Sequence, residues 1–295
     1  MNNLALLIAI LLTIGTVFVR YQIYKKTTQE RRKNLQRLTG WWLIFGVCLP
    51  CFYLGLEAIT ALVFILIVWS GIELSQIVQH HFTNKQSLAI LSLTTTLGAS
   101  IFFISGYNNQ IIFLGSLLLA FFSYFLSVNL ISFIALFWLS CCFSLSSIVL
   151  ITVSADSAKL DYGYLLLFLF FMTAVNDIAQ YIAGSIFGKT VIAPKLSPKK
   201  TLEGLFGGMV VTAFLCAIFL PDILAMSLIN ALLSGVILSL AGLLGDLRIS
   251  KLKRATNIKD SGSSIIGHGG LFDRMDSMLL IAPVFGLLAT AGGYI

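Results

Sequence analysis

The sequence predicts an all-α membrane protein, a polytopic transmembrane helix bundle of about ten spans (nine to eleven) with its polar loops on the cytoplasmic side. The 295 residues are 58% hydrophobic and only 11% charged, whereas soluble domains carry about 25% charged residues. The apolar runs are long and continuous, as transmembrane helices require, and lack the short alternating pattern of a β-barrel. Lys and Arg gather in a few of the loops between these runs.

Ten apolar segments of membrane-spanning length make up most of the chain. The first lacks a basic n-region and an evident cleavage site, so we expect an uncleaved anchor rather than a signal peptide. Pro50 is expected to break or kink the second segment. Glu73 lies inside the third, where a carboxylate faces protein or a wet cavity rather than lipid. The segments are residues 4–19, 40–56, 58–78, 88–105, 111–128, 131–153, 164–187, 205–220, 223–244 and 278–294.

The distribution of positive charge predicts how these spans are oriented. With the N-terminus outside, four inside loops contain seven, one, four and six Lys or Arg, and only Lys159 remains outside. Because cytoplasmic loops are enriched in Lys and Arg, we expect both termini outside and the four loops in the cytoplasm. Those loops are residues 20–39, 79–86, 188–203 and 245–276.

The chain has two parts that differ in their polar content, and the two long polar stretches, both assigned to the cytoplasmic side, lie in the second part. Residues 1–160 form N-terminal transmembrane helices with the basic loop 20–39, and residues 161–295 form a C-terminal transmembrane region that contains both stretches. We expect the two parts to belong to one integral membrane unit.

The first polar stretch begins inside the seventh span. Asp177, Gln180 and Tyr181 recur at helical spacing and share one stripe of that span, which makes Asp177 and Tyr181 candidate intramembrane site residues. Polar groups then lead into the eighth span, where a helix N-terminus suits an anion. They are Lys189, Ser197, Lys199, Lys200, Thr201 and Glu203. No G-x-x-x-x-G-K-[ST] occurs, so the stretch is not a P-loop.

The second polar stretch, residues 245–276, mixes acids, bases and glycines. Asp246 and Asp260 with basic residues around them fit a divalent metal that bridges phosphates. Surface ion pairs would explain the charges but not the glycines, which allow close backbone approach to a ligand. The other candidates are Lys253, Arg254, Lys259, His268, Asp273, Arg274 and Asp276.

The chemistry that this pattern indicates is phosphoryl or nucleotidyl transfer at the inner membrane surface. Such reactions depend on metal ions and cationic clamps more than on a covalent nucleophile. The sequence contains neither G-x-S-x-G nor H-E-x-x-H, so no hydrolase or zinc-protease motif competes.

The polar motifs resemble the signature of the phosphatidate cytidylyltransferases (CDP-diacylglycerol synthases). The resemblance rests on three ordered motifs in the C-terminal part of the chain and on one block upstream. The motifs are Ser250-x-Leu252-Lys253-Arg254, Lys259-Asp260-x-Gly262 and His268-Gly269-Gly270-Leu271-x-Asp273-Arg274-Met275-Asp276, and the block is Ser197-Pro198-Lys199-Lys200-Thr201-x-Glu203-Gly204.

The resemblance implies an enzyme that transfers the cytidylyl group of CTP to phosphatidate and releases pyrophosphate. It implies Mg²⁺ on Asp246 and Asp260, and leaves open a second cation such as K⁺. It also implies a helical homodimer in a lipid bilayer. From the size of the chain and the absence of evident targeting extensions we expect a bacterial inner membrane, and the gathering of Lys and Arg in a few loops indicates no nucleic-acid partner. The resemblance assigns catalytic roles to Asp246, Lys259, Asp260 and His268. It assigns contacts with CTP or the lipid substrate to Lys189, Ser197, Lys199, Lys200, Thr201, Glu203, Lys253, Arg254, Asp273, Arg274 and Asp276.

Three positions depart from the family pattern and imply a divergent member. Ile249 stands where Glu is usual, Ile266 where Pro is usual and Gln180 where Ala is usual. Two other functions stay open. A CTP-dependent polyprenol or phytol kinase would release CDP rather than pyrophosphate, and intramembrane Asp177 and Glu73 permit a transporter or a catalytically silent scaffold.

Overall fold

The structure, a computed structural model, describes residues 28–78, 130–258 and 269–295, with shorter pieces at 9, 13, 16–17, 113–115, 117–121 and 261–262. Six helices among these residues are long and apolar enough to cross a membrane. The chain is therefore an integral membrane protein built as a helix bundle, as predicted. Span 88–105, most of span 4–19 and much of span 111–128 lie outside the described residues, so the total of about ten spans stays a prediction.

The described residues form eight helices and two strands. In order they are α1 (Thr28–Leu54), α2 (Leu56–Val78), α3 (Leu130–Ser157), α4 (Tyr162–Phe187), β1 (Val191–Ala193), β2 (Ser197–Thr201), α5 (Leu202–Leu224), α6 (Leu228–Ala255), α7 (Phe272–Met275) and α8 (Met278–Ala291).

Short polar side chains fix where the central helices begin. The Asp161 carboxylate accepts a hydrogen bond from the backbone N–H of Tyr164 at 2.9 Å. Thr201 Oγ1 accepts from the N–H of Gly204 at 3.2 Å, and Ser227 Oγ accepts from the N–H of Asn230 at 3.3 Å. Each contact satisfies one of the N–H groups that have no partner within the first turn of a helix.

Two predicted boundaries are wrong. α1 begins at Thr28, inside the predicted loop 20–39, and continues past Pro50 to Leu54. α6 does not end at residue 244 but continues to Ala255, so Asp246 lies within a helix rather than at the start of a loop. Charged residues in the last turns of α6 have polar partners on other segments. The helix can therefore continue beyond its apolar part.

The all-α prediction also missed a small β-hairpin between α4 and α5. β1 and β2 pair antiparallel, with Val191 opposite Thr201 and Ala193 opposite Ser197. The sequence motif that contains Lys199 and Lys200 is β2. The hairpin is short and none of its residues is fully buried, so hydrophobic patterning gave no signal for it.

Packing brings the C-terminal helices together around the polar stretches. α4, α5 and α6 pack against one another, α8 packs against α3 and α6, and α2 packs against α3. Phe272 of the one-turn helix α7 lies among buried aromatic rings of α3, with its ring centroid 5.6 Å from Phe137 and 6.4 Å from Trp138. α7, which belongs to the second polar stretch, is thereby anchored in the core.

Candidate active site

An ion pair joins the hairpin to α6. The ammonium of Lys200 on β2 pairs with the carboxylate of Asp246, and both side chains are about four-fifths buried. Burial lowers the pKa of the Lys200 ammonium, but the charges of Asp246, Asp177 and Asp276 outweigh this effect and hold that pKa above the ordinary lysine value. Two residues that the sequence assigned separately, to CTP and to metal, are therefore direct partners.

Two further carboxyl groups lie close to the carboxylate of this ion pair. The carboxyl group of Asp276, which follows α7, lies next to that of Asp246 and interacts with it electrostatically. Asp177 on α4 is close enough to interact electrostatically with both, and its carboxylate accepts a hydrogen bond from Ser277 Oγ at 2.9 Å. We call Lys200, Asp177, Asp246 and Asp276 the carboxylate cluster.

Gly245 allows the approach that forms this cluster. A Cβ at this position would overlap the backbone carbonyl oxygen of Asp276. Only glycine lets α6 pass so close to the segment between α7 and α8. The glycine before Asp246 is thus required for packing and not for a turn.

A second ion pair lies two turns further along α6. Lys253 Nζ is 2.7 Å from Asp273 Oδ1, and their side chains are 21% and 10% exposed. Asp273 Oδ2 accepts from Ser261 N at 2.8 Å, from Ser261 Oγ at 3.0 Å and from Gly270 N at 3.4 Å. Asp273 therefore ties α6 and the loop before α7 together.

The base of the hairpin is held by a carboxylate and a hydroxyl. Glu203 accepts hydrogen bonds from the backbone N–H groups of Lys189 at 3.0 Å and Thr190 at 3.2 Å. Thr201 caps α5. These contacts give Glu203 and Thr201 a positioning role for β2 in this structure, whereas the sequence assigned both to substrate contacts.

The remaining predicted residues are not part of the carboxylate cluster. Lys189, Lys199 and Arg274 are exposed, and Ser197 is half-buried on β2. Arg254 is exposed and its Nε donates to the carbonyl oxygen of Leu196 at 3.4 Å. Tyr181 is 73% exposed and lies one turn after Asp177 on α4. Lys259, Asp260 and His268 lie outside the described residues.

Comparison with known proteins identifies the family. The chain matches the model of the Cytidylyltransferase family over residues 35–291. The chain belongs to the cytidylyltransferase family. It is also 32% identical to the uncharacterized protein YnbB of Escherichia coli (strain K12) over 290 residues, which are 96% of each chain.

Two relatives of this cytidylyltransferase are named phosphatidate cytidylyltransferase. The protein from Aquifex aeolicus (strain VF5) is 40% identical over 129 residues, 44% of this chain and 48% of its own. The protein from Bacillus subtilis (strain 168) is 42% identical over 127 residues, 42% of this chain and 46% of its own. The chain spans about half the length of these relatives. The predicted family and enzyme class are confirmed.

The carboxylate cluster of this cytidylyltransferase has the donor chemistry that Mg²⁺ requires. Asp177, Asp246 and Asp276 offer only hard carboxylate oxygens. In the residues that the structure describes, no group of three His, Cys, Asp or Glu side chains is spaced to enclose a metal ion. An open site suits Mg²⁺, because this ion keeps several waters and binds through one or two carboxylates together with substrate phosphates. The residues therefore fit the ion.

Sequence reasoning missed a polar network inside the cytidylyltransferase bundle. Asn176 Oδ1 on α4 accepts from Gln180 Nε2 at 3.2 Å, from Thr212 Oγ1 at 3.1 Å and from Ser239 Oγ at 2.6 Å. The four residues come from α4, α5 and α6, and Asn176 directly precedes Asp177. Their helical spacing within apolar spans was the available signal, because intramembrane polar groups face protein.

Arg248, which the sequence placed among the basic residues of the second polar stretch, lies elsewhere. Its guanidinium is buried against α3, where Nη2 donates to the carbonyl oxygen of Phe137 at 3.0 Å and contacts Ser140 and Cys141. The guanidinium carbon lies 4.7 Å from the Phe137 ring centroid. The neighbouring Ile249, which replaces the usual Glu, is buried in the apolar core.

Proposed function

We propose that this cytidylyltransferase transfers the cytidylyl group of CTP to phosphatidate, giving CDP-diacylglycerol and pyrophosphate. The observation that carries the proposal is the carboxylate cluster, in which a lysine and three acids from four segments meet inside a membrane protein. The names of the relatives from Aquifex aeolicus and Bacillus subtilis support phosphatidate as the acceptor.

The reaction needs no covalent enzyme intermediate. A phosphate oxygen of phosphatidate attacks the α-phosphorus of CTP, and the bond from that phosphorus to the bridging oxygen of the β-phosphate breaks. Pyrophosphate leaves with the electron pair of that bond. Because the phosphate of phosphatidate is already ionised near neutral pH, no strong general base is required. Catalysis then depends on positioning and on compensation of negative charge.

The chain supplies cations on two sides of the proposed reaction centre. Lys200 reaches the carboxylate cluster from the hairpin, and Lys253 lies on the same helix as Asp246. We propose that both ammonium groups bind phosphate oxygens when CTP is present. Asp273 would keep Lys253 in position, since the two are bonded directly.

We further propose that Asp246 and Asp276, with Asp177 beside them, hold Mg²⁺. When bound, the ion would neutralise charge on the triphosphate and polarise the phosphorus that is attacked. The proximity of the two carboxyl groups supports this assignment, because adjacent acids repel each other unless a proton or a cation compensates their charge. The sequence proposed Asp260 as the partner of Asp246, and Asp276 joins it as a candidate. A second cation such as K⁺ stays a prediction.

The proposed place of action is the cytoplasmic face of a bacterial inner membrane. The loop charges support that orientation, since eighteen Lys and Arg were assigned to one side and only Lys159 to the other. Bacterial relatives support the location. A homodimer stays a prediction from the family resemblance.

The direct test uses purified protein in detergent with Mg²⁺, phosphatidate and CTP labelled at the α-phosphorus. We expect label in the lipid fraction, release of pyrophosphate, and loss of at least about 100-fold in rate for Asp246→Asn. The matched control is Asp222→Asn. Asp222 is an exposed acid near the C-terminal end of α5, whereas the hairpin precedes the N-terminal end of that helix.

Two results would contradict the proposal. A lipid kinase would be indicated if label entered the lipid only from CTP labelled at the γ-phosphorus and CDP were the product. No transfer to phosphatidate by folded protein would exclude this acceptor, and the same assay with isoprenoid phosphates and alcohols would identify another.

A further inference from the structure

Glu73 is a buried carboxylate of α2 that none of the proposed catalytic steps uses. Its side chain is 1% exposed. Its two oxygens accept hydrogen bonds from the backbone N–H groups of Leu271, at 2.6 Å, and Phe272, at 3.1 Å. Those groups open the one-turn helix α7, and N–H groups at the start of a helix have no partner within it. The contact joins the N-terminal part of the chain to the second polar stretch.

We infer that Glu73 is a positioning residue that fixes the α7 turn and thereby places Asp273 and Asp276 in the active site. The inference rests on the proposed function, since those two aspartates act in it. Asp273 lies in the first turn of α7 and Asp276 directly follows the helix. A shift of α7 would therefore move the partner of Lys253 and the partner of Asp246 together.

Gly270 supplies an independent observation. A Cβ at this position would overlap Glu73 Oε1 and Ser261 Oγ. The glycine thus allows the chain to pass directly over the Glu73 carboxylate. This approach accounts for the second glycine of the His268-Gly269-Gly270 motif in physical terms, without any contact to substrate.

The chemistry of the contact explains why a carboxylate is needed. Both oxygens of a carboxylate accept hydrogen bonds, so Glu73 can bind two adjacent N–H groups at once. A glutamine has one accepting oxygen, and its NH₂ group would face the second N–H donor. Hydrogen bonds to a charged acceptor are also stronger than those between neutral groups. Glutamine should therefore retain part of the positioning, and alanine none of it.

The first test measures the α7 turn without any substrate. Hydrogen–deuterium exchange of the full-length protein in detergent reports on the amides of the peptide that covers residues 269–275. In Glu73→Gln and Glu73→Ala we expect these amides to exchange at least about tenfold faster than in wild type, since each lost bond to a charged group exceeds one factor of ten. Peptides from α4 and α5 should be unchanged.

The second test measures the Mg²⁺ requirement of cytidylyl transfer. We expect the Mg²⁺ concentration for half-maximal rate to rise at least about tenfold in Glu73→Gln and further in Glu73→Ala, with partial recovery of rate at high Mg²⁺. A side chain that merely stabilised the bundle would lower the unfolding temperature and leave the Mg²⁺ requirement unchanged. Mg²⁺-dependent thermal stabilisation, without CTP or lipid, reads the same requirement independently of activity.

Ser70→Ala is the matched control. Ser70 is also buried on α2, but its hydroxyl bonds the carbonyl oxygen of Ile67 in its own helix. This variant should keep wild-type exchange at residues 269–275 and the wild-type Mg²⁺ requirement. Gly270→Ala should reproduce the Glu73 phenotype, and the double variant E73Q/G270A should lose no more than the worse single variant, because both changes break one contact.

The possible failures are distinguishable. Unchanged exchange at residues 269–275 in Glu73→Gln would overturn the inference, and so would faster exchange with an unchanged Mg²⁺ requirement. If Glu73→Ala does not fold, the isosteric Glu73→Gln decides. A wild-type protein that transfers nothing to phosphatidate would overturn the proposed function alone, since exchange and Mg²⁺-dependent stabilisation would still test Glu73.

Discussion

Lys200 and Asp246 form an ion pair that closes the β-hairpin onto α6. Lys200 is the only residue of β2 whose side chain reaches the carboxylate cluster among the contacts that the structure describes. Its neighbours Lys199 and Pro198 on the strand are exposed. The two polar stretches of the sequence thus become one site through this contact.

The first prediction concerns the lysines of the hairpin. Lys200→Met should lower the rate of cytidylyl transfer at least about 100-fold, because it removes a buried cation next to the proposed reaction centre. Lys195→Met, in the exposed turn of the same hairpin, should lower it less than about threefold. The measurement is kcat/KM for CTP with phosphatidate in detergent. Equal losses in the two variants would mean that the hairpin acts only through its overall charge.

The second prediction concerns pH. The raised pKa of Lys200 in the folded protein means that its ion pair stabilises fully below the pKa of an unfolded lysine, about 10.4, and is lost as pH rises through the folded-state pKa. The difference in unfolding temperature between wild type and Lys200→Met should therefore stay constant between about pH 7 and 9 and shrink only above about pH 10. Thermal unfolding in detergent at several pH values measures it.

A difference that already shrinks between neutral pH and about pH 9 would contradict this expectation, because it would place the Lys200 titration below the ordinary lysine value. Lys195→Met serves as the control for general effects of lysine removal.

The third prediction concerns the ligands of Mg²⁺. Asp276→Asn should raise the Mg²⁺ concentration for half-maximal rate at least about tenfold, since a metal ligand is replaced by a neutral group. Asp246→Asn should have at least as large an effect, and the double variant should add little to it because both residues act on one ion. Titration of the rate with Mg²⁺ measures both. An unchanged Mg²⁺ requirement in Asp276→Asn would show that the ion is held elsewhere.

The sequence allowed most of the described helices and most members of the candidate site to be predicted, but not the pairing of these members. Asp161 and Thr201 are capping residues by type, and Lys200, Lys253, Asp246 and Asp276 were all candidates. Their pairing required the course of α6. The residue seven positions after Asp246 lies on nearly the same face of a helix, whereas the residue two positions after it lies about 200° away. Interpreted as a loop, the stretch could not show that Lys253 lies on the same helix face as Asp246 and Arg248 on the opposite face.

The hairpin and the contact of Glu73 could not be predicted for a different reason. A two-stranded hairpin with exposed lysines has no hydrophobic alternation to reveal it. Glu73 was expected to face protein, which is confirmed by its 1% exposure. Its partners, two backbone N–H groups, have no signature in the sequence, because every residue except proline offers the same donor.

The last prediction concerns Gln180, which stands where the family usually has Ala. Gln180 Nε2 donates to Asn176 Oδ1 and to the carbonyl oxygen of Ser239, both at 3.2 Å. Gln180→Ala should destabilise the protein by about 1 kcal/mol, the size of interhelical hydrogen bonds in membranes, and leave the rate nearly unchanged. Thermal or chemical unfolding in detergent measures the difference.

Gly208 on α5 offers a matched test of the same contact. A Cβ at Gly208 would overlap Gln180 Cγ and lie 3.0 Å from both Asn176 Oδ1 and Ser239 Oγ. Gly208→Ala should therefore destabilise wild type by about 1–3 kcal/mol through overpacking, and clearly less in the Gln180→Ala background, where the closest atom is gone. Strictly additive effects of the two changes would show that Gln180 does not set the distance between α4 and α5.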